Sequence, residues 1–197
     1  MHAVILMLML PLLLQSGAVG PPADRGQAGS QQPDAVILWG PDYSFSITAE
    51  ADWVVDETID HSSGKRAAIY PRGIDPRDQG ALVAYVFVKT ISRTDYPGTD
   101  LSSYIEQQWA AFKGGAPSAT RIPGESILTR TGKAAVVSHV HPGPAGPVTV
   151  HAYIEEPKAF ILIVLVGQTQ KDAQNSFAVF KHLVESYVPM SIPKAKE

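Results

Sequence analysis

Apolar and polar residues alternate along several short segments of the chain, as expected for strands buried on one face. Tyr43, Phe45 and Ile47, for example, alternate with serine and threonine. The same reasoning predicts short strands at 36–39, 43–48, 53–55, 67–70, 126–130, 134–140 and 148–155. Two longer segments, 81–89 and 159–166, are apolar without alternation, so we expect them in the middle of a sheet that is covered on both faces.

Two other segments carry apolar residues at steps of three and four, which indicates amphipathic helices. The first follows Asp100, its predicted N-cap, and ends at Gly114 and Gly115. Its apolar face consists of Leu101, Tyr104, Ile105, Trp109 and Phe112. The second is predicted from Lys171 to Tyr187, before Pro189 stops it, with an apolar face of Ala173, Phe177, Phe180, Leu183, Val184 and Tyr187.

The elements follow each other as strands, helix, strands, helix. Turns rich in proline and glycine, such as residues 142–146, join the later strands into a predicted antiparallel meander. Local hairpins with a single long crossover predict an α+β fold and argue against a doubly wound parallel sheet. We expect an α/β/α sandwich with a central, mainly antiparallel sheet and two principal helices.

The N-terminus has a different pattern from the rest of the chain. Residues 3–14 are apolar except for Pro11, a run too short to span a bilayer but typical of a signal peptide. Small residues at Ser16 and Ala18 predict cleavage after Ala18, which makes residues 1–18 the signal peptide. Cleavage after Gly20 is disfavoured because proline would follow the cut bond.

An uncleaved N-terminal helix is the alternative, because no Lys or Arg precedes the apolar run. A run without a polar face makes a poor surface helix, which favours the signal peptide. Residues 19–33, rich in proline, glycine and glutamine, are predicted to form a flexible tether. One domain is predicted at 34–190 and a polar tail at 191–197. We therefore expect an exported protein, periplasmic or extracellular, with no transmembrane span in its mature form.

The opening strands carry a resemblance to a known family. Residues 43–47, Tyr-Ser-Phe-Ser-Ile, lead to Asp52-Trp53 much as the first strands of the PsbP/Mog1-like superfamily lead to a tryptophan. The helix at 100–113, the meander and the closing strand and helix at 160–189 extend the resemblance over nearly the whole mature chain. Where the family usually has Pro-x-x-Trp, this chain has Ala49-Glu50-Ala51-Asp52 before the tryptophan.

The resemblance implies an exported, bacterial-type PsbP/Mog1-like domain with a mostly non-enzymatic role. Such proteins serve as assembly factors, extrinsic subunits or adaptors that bind another protein. The resemblance names no partner, and a fold alone does not determine a function.

Composition narrows the chemistry further. The chain has no cysteine, which excludes a disulfide framework, a thiolate zinc site and a cysteine nucleophile. The net charge of −3, with 18% charged residues, provides no basic excess, so we do not expect a nucleic-acid partner. The sequence also contains no G-x-S-x-G, H-E-x-x-H or Walker A motif, and we expect no enzyme.

A repeated motif and an acidic loop are both interpreted as non-functional. S-x-x-K occurs at Ser62 and Ser191, but neither match opens a predicted helix or has the accompanying motifs. Asp56, Glu57 and Asp60 precede His61 in one loop. Such a loop can hold a cation or an acid–base pair, although a solvated turn is the simpler interpretation.

Three histidines are the candidate metal ligands. His139 and His141 are two residues apart on one predicted strand and so share a face, while His151 lies on the next strand. If His139 pairs with His151, the three imidazoles converge in a common zinc arrangement. A register shifted by one residue places His151 on the opposite face. The apolar pattern leaves both registers open, and the sequence predicts no cofactor apart from this possible divalent metal.

The tryptophans are expected to be structural. Trp53 and Trp109 are interpreted as core anchors. Burial is also the preferred interpretation for Trp39, with exposure for partner contact as the alternative.

Three classes of function remain, in order of preference. The first is a non-catalytic protein-binding or assembly module of the cell envelope, with a stoichiometric protein partner. The second is a metal- or small-ligand-binding protein that uses the histidine cluster. The third is a hydrolase with a dispersed site, since catalytic triads are assembled from distant segments.

Overall fold

A computed structural model of the 197-residue chain describes residues 35–40, 43–58, 64–78, 80–143 and 146–190. The predicted signal peptide, tether and polar tail lie outside the described residues, as do Asp60 and His61 of the acidic loop. Among the described residues, no helix is long and apolar enough to cross a membrane.

The described residues form eleven strands and three α-helices. The strands are β1 (Ala35–Trp39), β2 (Ser44–Thr48), β3 (Trp53–Asp56), β4 (Lys65–Pro71), β5 (Ala84–Ser92), β6 (Thr120–Pro123), β7 (Ile127–Leu128), β8 (Ala134–His141), β9 (Val148–Glu155), β10 (Ala159–Gly167) and β11 (Val188–Met190). The helices are α1 (Leu101–Gly115), α2 (Gln170–Asn175) and α3 (Phe177–Ser186), and a short 3-10 helix, Arg93–Asp95, follows β5.

The strands form two sheets. The main sheet has the order β3-β4-β5-β10-β9-β8-β6, with β7 also paired to β8, and the small sheet has the order β1-β2-β11. Every strand pair that the structure describes is antiparallel. The helix α1 covers one face of the main sheet, and α2, α3 and the small sheet cover the other. The predicted α+β sandwich around an antiparallel sheet is thus confirmed.

Residues that alternate along β10 supply the cores on both faces. Ile161, Ile163 and Leu165 pack with Phe180 and other residues of α2, α3 and the small sheet, and all four are fully buried. Phe160 points to the opposite face, where its ring stacks on Tyr104 of α1 at 4.7 Å between centroids. The continuous apolar sequence of β10 therefore serves a strand covered on both sides, as predicted.

The prediction of two-sided cover is wrong for β5. Its side chains alternate between buried and half-buried, and Tyr85, Phe87 and Lys89 form the half-buried set. These three lie on the face that carries α1, at positions paired with Val166, Val164 and Leu162 of β10. The helix packs on Phe160, Tyr153 and Ile91, so it leaves this part of the sheet partly accessible.

The second predicted helix is two helices. The break lies at Ser176, whose N–H donates to the carbonyl oxygens of Asp172 and Gln174. The helix α2 begins with a capping box between Thr169 and Asp172, a pattern that fixes its start. After α3, the segment that contains Pro189 is no longer helical. It pairs with β2 as the short edge strand β11, a position in which proline is tolerated.

The first helix begins as predicted, because the Asp100 side chain accepts a hydrogen bond from the Ser103 N–H at 2.7 Å. Only the first part of its predicted apolar face is buried, namely Leu101, Tyr104 and Ile105. The sequence did not predict β6, β11 or the 3-10 helix. The strand β6 is short and contains Arg121 and Pro123, so it lacks a strand pattern of its own.

Candidate functional site

The pairing of β8 with β9 decides how the three histidines are arranged. Ser138 lies opposite His151, and His139 lies opposite Val150. His139 and His141 therefore share one face of the sheet, and His151 points to the other face. The structure adopts the register in which the three imidazoles do not converge. Among the described residues, no group of three His, Cys, Asp or Glu side chains is placed to hold a metal ion.

His139 and His141 line an open groove of about 660 Å³. The groove lies between β8 and β9 on one side and α2 and α3 on the other, and β7 also contributes to its lining. Its apolar lining includes Leu128, Val137, Val150 and Phe177. Its charged lining consists of Glu125, Lys181 and Glu185. The groove therefore combines accessible apolar surface with a charged rim and two imidazoles.

Close contacts hold His139 in the groove wall. The Phe177 ring, at the start of α3, stacks on the imidazole with 6.1 Å between centroids and an angle of 29° between the ring planes. On the other side, the Gly124 N–H donates to the Val137 carbonyl. A Cβ atom at Gly124 would lie 2.7 Å from Val137 Cγ1 and 3.0 Å from His139 Nε2. Only glycine allows the backbone to approach the ring so closely.

Burial favours the neutral form of one histidine of the groove, His139. Burial, and to a lesser degree the charge of His141, lowers the pKa of His139 below its usual value of 6.5. A neutral imidazole has one donor and one acceptor nitrogen, so it can bind polar groups of either kind. On the rim, Lys181 pairs with Glu185 one helical turn away at 3.5 Å. Glu125 adds a second carboxylate, which makes the rim net acidic.

His151 has a different environment on the opposite face. Its two ring nitrogens form hydrogen bonds with the hydroxyl groups of Thr149 and Tyr153, each at 2.9 Å. Desolvation lowers the pKa of His151 to about 4 and raises that of Tyr153 to about 12. The sequence contained a signal for this arrangement, since residues 149, 151 and 153 alternate along one strand. All three are polar side chains on one face of a buried strand.

The acidic loop forms a local turn at its described end. Asp56 accepts hydrogen bonds from the N–H and the hydroxyl group of Thr58 and from the Tyr70 hydroxyl group. The hydrogen bond from the Thr58 hydroxyl group contributes most to lowering the pKa of Asp56. These bonds use the carboxylate to fix the chain after β3.

Two solved structures show which fold this arrangement belongs to. Cyanobacterial PsbP (CyanoP) from Synechocystis sp. PCC 6803 is 10% identical, with a TM-score of 0.51 over 87% of this chain and 100% of that chain. The Saccharomyces cerevisiae Ran-binding protein Mog1p is 11% identical, with a TM-score of 0.51 over 81% of this chain and 96% of that chain. This chain has the PsbP/Mog1 fold. No family model and no curated protein sequence matches it.

Within the PsbP/Mog1 fold, only one of the three tryptophans occupies the core. Trp53 is buried, as predicted. Trp109 is half-buried near the end of α1, so its prediction as a core anchor is wrong. Its ring stacks on Phe112 and has the Arg121 guanidinium at 5.4 Å from its centroid. A second cavity, of about 410 Å³, lies where Arg121 meets α1 and β8.

The prediction of burial is also wrong for Trp39, which is 57% exposed. The register of β1 with β2 explains this exposure, because Trp39 lies opposite Ser44 on the outer face of the small sheet. Ile37 points to the same outer face and is 39% exposed, whereas Leu38 between them is buried. The small sheet thus presents large apolar side chains to solvent.

Proposed function

We propose that this chain is an exported, non-catalytic accessory module of the cell envelope that binds another protein through the groove beside His139. The observation that carries the proposal is the groove itself. It is open, it has a volume of about 660 Å³, and it leaves apolar side chains accessible on a folded domain. Accessible apolar surface with a polar rim is typical of interaction sites.

The lining of the groove indicates the chemistry of the partner. Phe177, Val148 and Leu128 offer an apolar surface that suits one large apolar side chain. The rim has two carboxylates, Glu125 and Glu185, against one ammonium group, Lys181. We therefore propose that the partner segment has an apolar anchor residue flanked by a basic residue, because a basic charge complements the net acidic rim.

Two further observations support this function. Mog1p, whose fold this chain shares, is a Ran-binding protein, so the fold is compatible with protein recognition. The apolar N-terminal segment with its predicted cleavage site after Ala18 supports export. An exported protein with an acidic-rimmed groove would meet its partner in the cell envelope.

The test is a cross-linked pull-down of the tagged protein from the envelope fraction of its own host, with the tag alone as control. Leu128 is 62% exposed on the groove wall, so Leu128→Asp alters the groove with little effect on the core. Val83, 48% exposed outside the groove, provides the matched control Val83→Asp. We expect one near-stoichiometric partner that Leu128→Asp loses and Val83→Asp retains.

The same experiment defines how the proposal fails. Recovery of no protein above the control at native expression level would contradict protein binding. Equal recovery with both variants would show that a partner exists but does not use the groove.

The groove also favours a second candidate function, the binding of a small ligand or a divalent metal. Its volume lies within the range of ligand pockets, and His139 and His141 both line it. Two imidazoles would hold a metal only with water or ligand atoms in the remaining positions. Calorimetry with zinc on the wild type and on His139→Ala tests this candidate. Binding no tighter than micromolar in both proteins would exclude the zinc form.

A further inference from the structure

The unpaired edge of β1 lacks the features that normally protect the edge of a sheet. Natural edge strands are guarded by charges, by proline or by being very short. At the other edges, β6 contains Arg121 and Pro123, β3 ends at Asp56, and β11 is a three-residue strand that contains Pro189. The five residues of β1 are Ala-Val-Ile-Leu-Trp, with no charge and no proline. Among the described residues, β1 pairs only with β2.

The direction of the backbone groups shows what this edge offers. The Gly40 N–H donates to the Tyr43 carbonyl at 2.9 Å, so Gly40 directs its hydrogen-bonding groups toward β2. Because these directions alternate along an antiparallel strand, Leu38 and Val36 also face β2. Ala35, Ile37 and Trp39 therefore direct their N–H and C=O groups toward the free edge.

We propose that a second copy of this chain adds to this edge, with the two β1 strands antiparallel and Ile37 on the two-fold axis. Ile37 then meets Ile37 of the other copy, and Ala35 meets Trp39 in two equivalent pairs. Each pair exchanges two backbone hydrogen bonds, which gives about six across the interface. The two small sheets become one continuous six-stranded sheet.

Size and charge favour a second copy as the occupant. In this register the largest residue of the strand, Trp39, faces the smallest, Ala35, so the outer side chains fit without crowding. An uncharged edge gains nothing from a charged partner strand, and its own copy brings no like charges together across the axis. A closed two-fold interface also uses the same patch twice and leaves no further edge of β1 exposed.

The surface area that the β1 edge can bury limits the expected affinity of the dimer. Stable dimers usually bury about 800 Å² on each partner. A five-residue strand with two exposed large side chains, Ile37 and Trp39, offers less than this. We therefore expect a reversible dimer with a dissociation constant of roughly 10–500 μM. High local concentration on a surface or in a confined compartment would populate it.

Sedimentation velocity between 5 and about 500 μM tests the proposal with one charge substitution and its control. Ile37→Lys places two ammonium groups face to face across the axis, and its side chain points to solvent, so we expect a folded monomer at all concentrations. Ile122→Lys is the matched control, because Ile122 is 54% exposed on another edge strand. We expect this variant to dimerise as the wild type does.

A cysteine trap identifies the register independently. The chain has no cysteine, so Ile37→Cys introduces a single thiol. Residues in a hydrogen-bonded antiparallel pair have Cα atoms about 5.5 Å apart, within the range of a disulfide. We expect oxidation to give a covalent dimer from Ile37→Cys at concentrations where Leu128→Cys remains largely monomeric.

Several results would overturn the proposal. They are a wild type that stays monomeric at the highest concentration, a dimer that survives Ile37→Lys, and equal cross-linking at positions 37 and 128. A monomeric wild type that loses its envelope partner through Ile37→Lys would assign the edge to a strand of another protein instead. Groove binding is tested by Leu128→Asp, so the two proposals fail separately.

Discussion

The two faces of the main sheet are built from the same strands but differ in how completely they are covered. On the face with α2, α3 and the small sheet, aliphatic residues such as Ile163 and Leu183 are fully excluded from water. On the face with α1, aromatic and polar residues predominate, and Phe87 and Lys89 remain half-buried. The first face provides most of the apolar core, and the second carries the hydrogen-bonded set of Thr149, His151 and Tyr153.

The histidines reverse this contrast at the scale of single residues. His139 and His151 lie on adjacent strands, one register step apart, and point to opposite faces. His139 lines an open groove, while His151 is held between two hydroxyl groups. A shift of one residue in the pairing of β8 and β9 would move a histidine from the groove to the opposite face, or the reverse. Register, rather than residue type, therefore separates the candidate site from the core.

The largest effect is expected from Phe180→Ala, on the face covered by α2, α3 and the small sheet. Phe180 is completely buried, and its truncation should lower the free energy of unfolding by about 3–5 kcal/mol through lost burial and a residual cavity. Trp109→Ala, on the α1 face, should cost less although the side chain is larger, because Trp109 is only half-buried. Urea unfolding followed by circular dichroism measures both. A greater loss for Trp109→Ala would show that α1 holds the domain together.

The second prediction concerns the polar core of the α1 face. The folded-state pKa of His151 is about 4, below the usual 6.5 of an unfolded histidine. The unfolded state therefore binds more protons between these values, so stability should fall as the pH drops from 6.5 to 4 and then level off. At about 1.4 kcal/mol per pKa unit, the loss is at most about 3.5 kcal/mol.

A pair of histidine variants isolates this contribution from the titration of carboxylates. His151→Gln cannot titrate, and it should reduce the difference between the unfolding free energies at pH 7 and pH 4. His182→Gln, on α3, is the control and should keep the wild-type difference. If both variants behave alike, the acid sensitivity arises elsewhere, and the two faces do not differ in this respect.

Sequence patterns predicted some elements better than others. Strand β9 was predicted residue for residue, and β10 and the start of α1 were also correct, because each combines an apolar period with a clear turn or cap. The break at Ser176 was missed because the apolar period continues through it. The short strand β6 was missed since its pairing depends on β8, a distant neighbour, and not on its own pattern.

The sequence predicted only part of the candidate site. Spacing alone placed His139 and His141 on one face, which the structure confirms. Their environment comes from segments far along the chain: Phe177 follows in a later helix, and Gly124 precedes them in a loop. The exposure of Trp39 was also not predictable from the pattern, because the continuous apolar sequence of β1 is the same whether one face or both are covered.

A smaller effect is expected where α2 begins, beside the groove. Thr169 accepts a hydrogen bond from the Asp172 N–H, and Asp172 accepts one in return from the Thr169 N–H. Thr169→Ala should remove the cap and lower stability by about 1 kcal/mol. Thr169→Ser, which keeps the hydroxyl group, should restore most of it. Urea unfolding of both variants makes the comparison, and equal losses would mean that the cap hydrogen bond is not the cause.

The smallest effect is expected one residue away from the largest. Lys181 follows Phe180 on α3, but its side chain points to the groove rim and pairs with Glu185 at 3.5 Å in an exposed position. A double-mutant cycle of Lys181→Ala and Glu185→Ala should give a coupling of roughly 0.2–0.5 kcal/mol, reduced further by salt. A coupling above about 1 kcal/mol would mean that the rim is less hydrated than its exposure indicates. The groove would then be partly closed, and the contrast between a covered core and an open site would not hold along this helix.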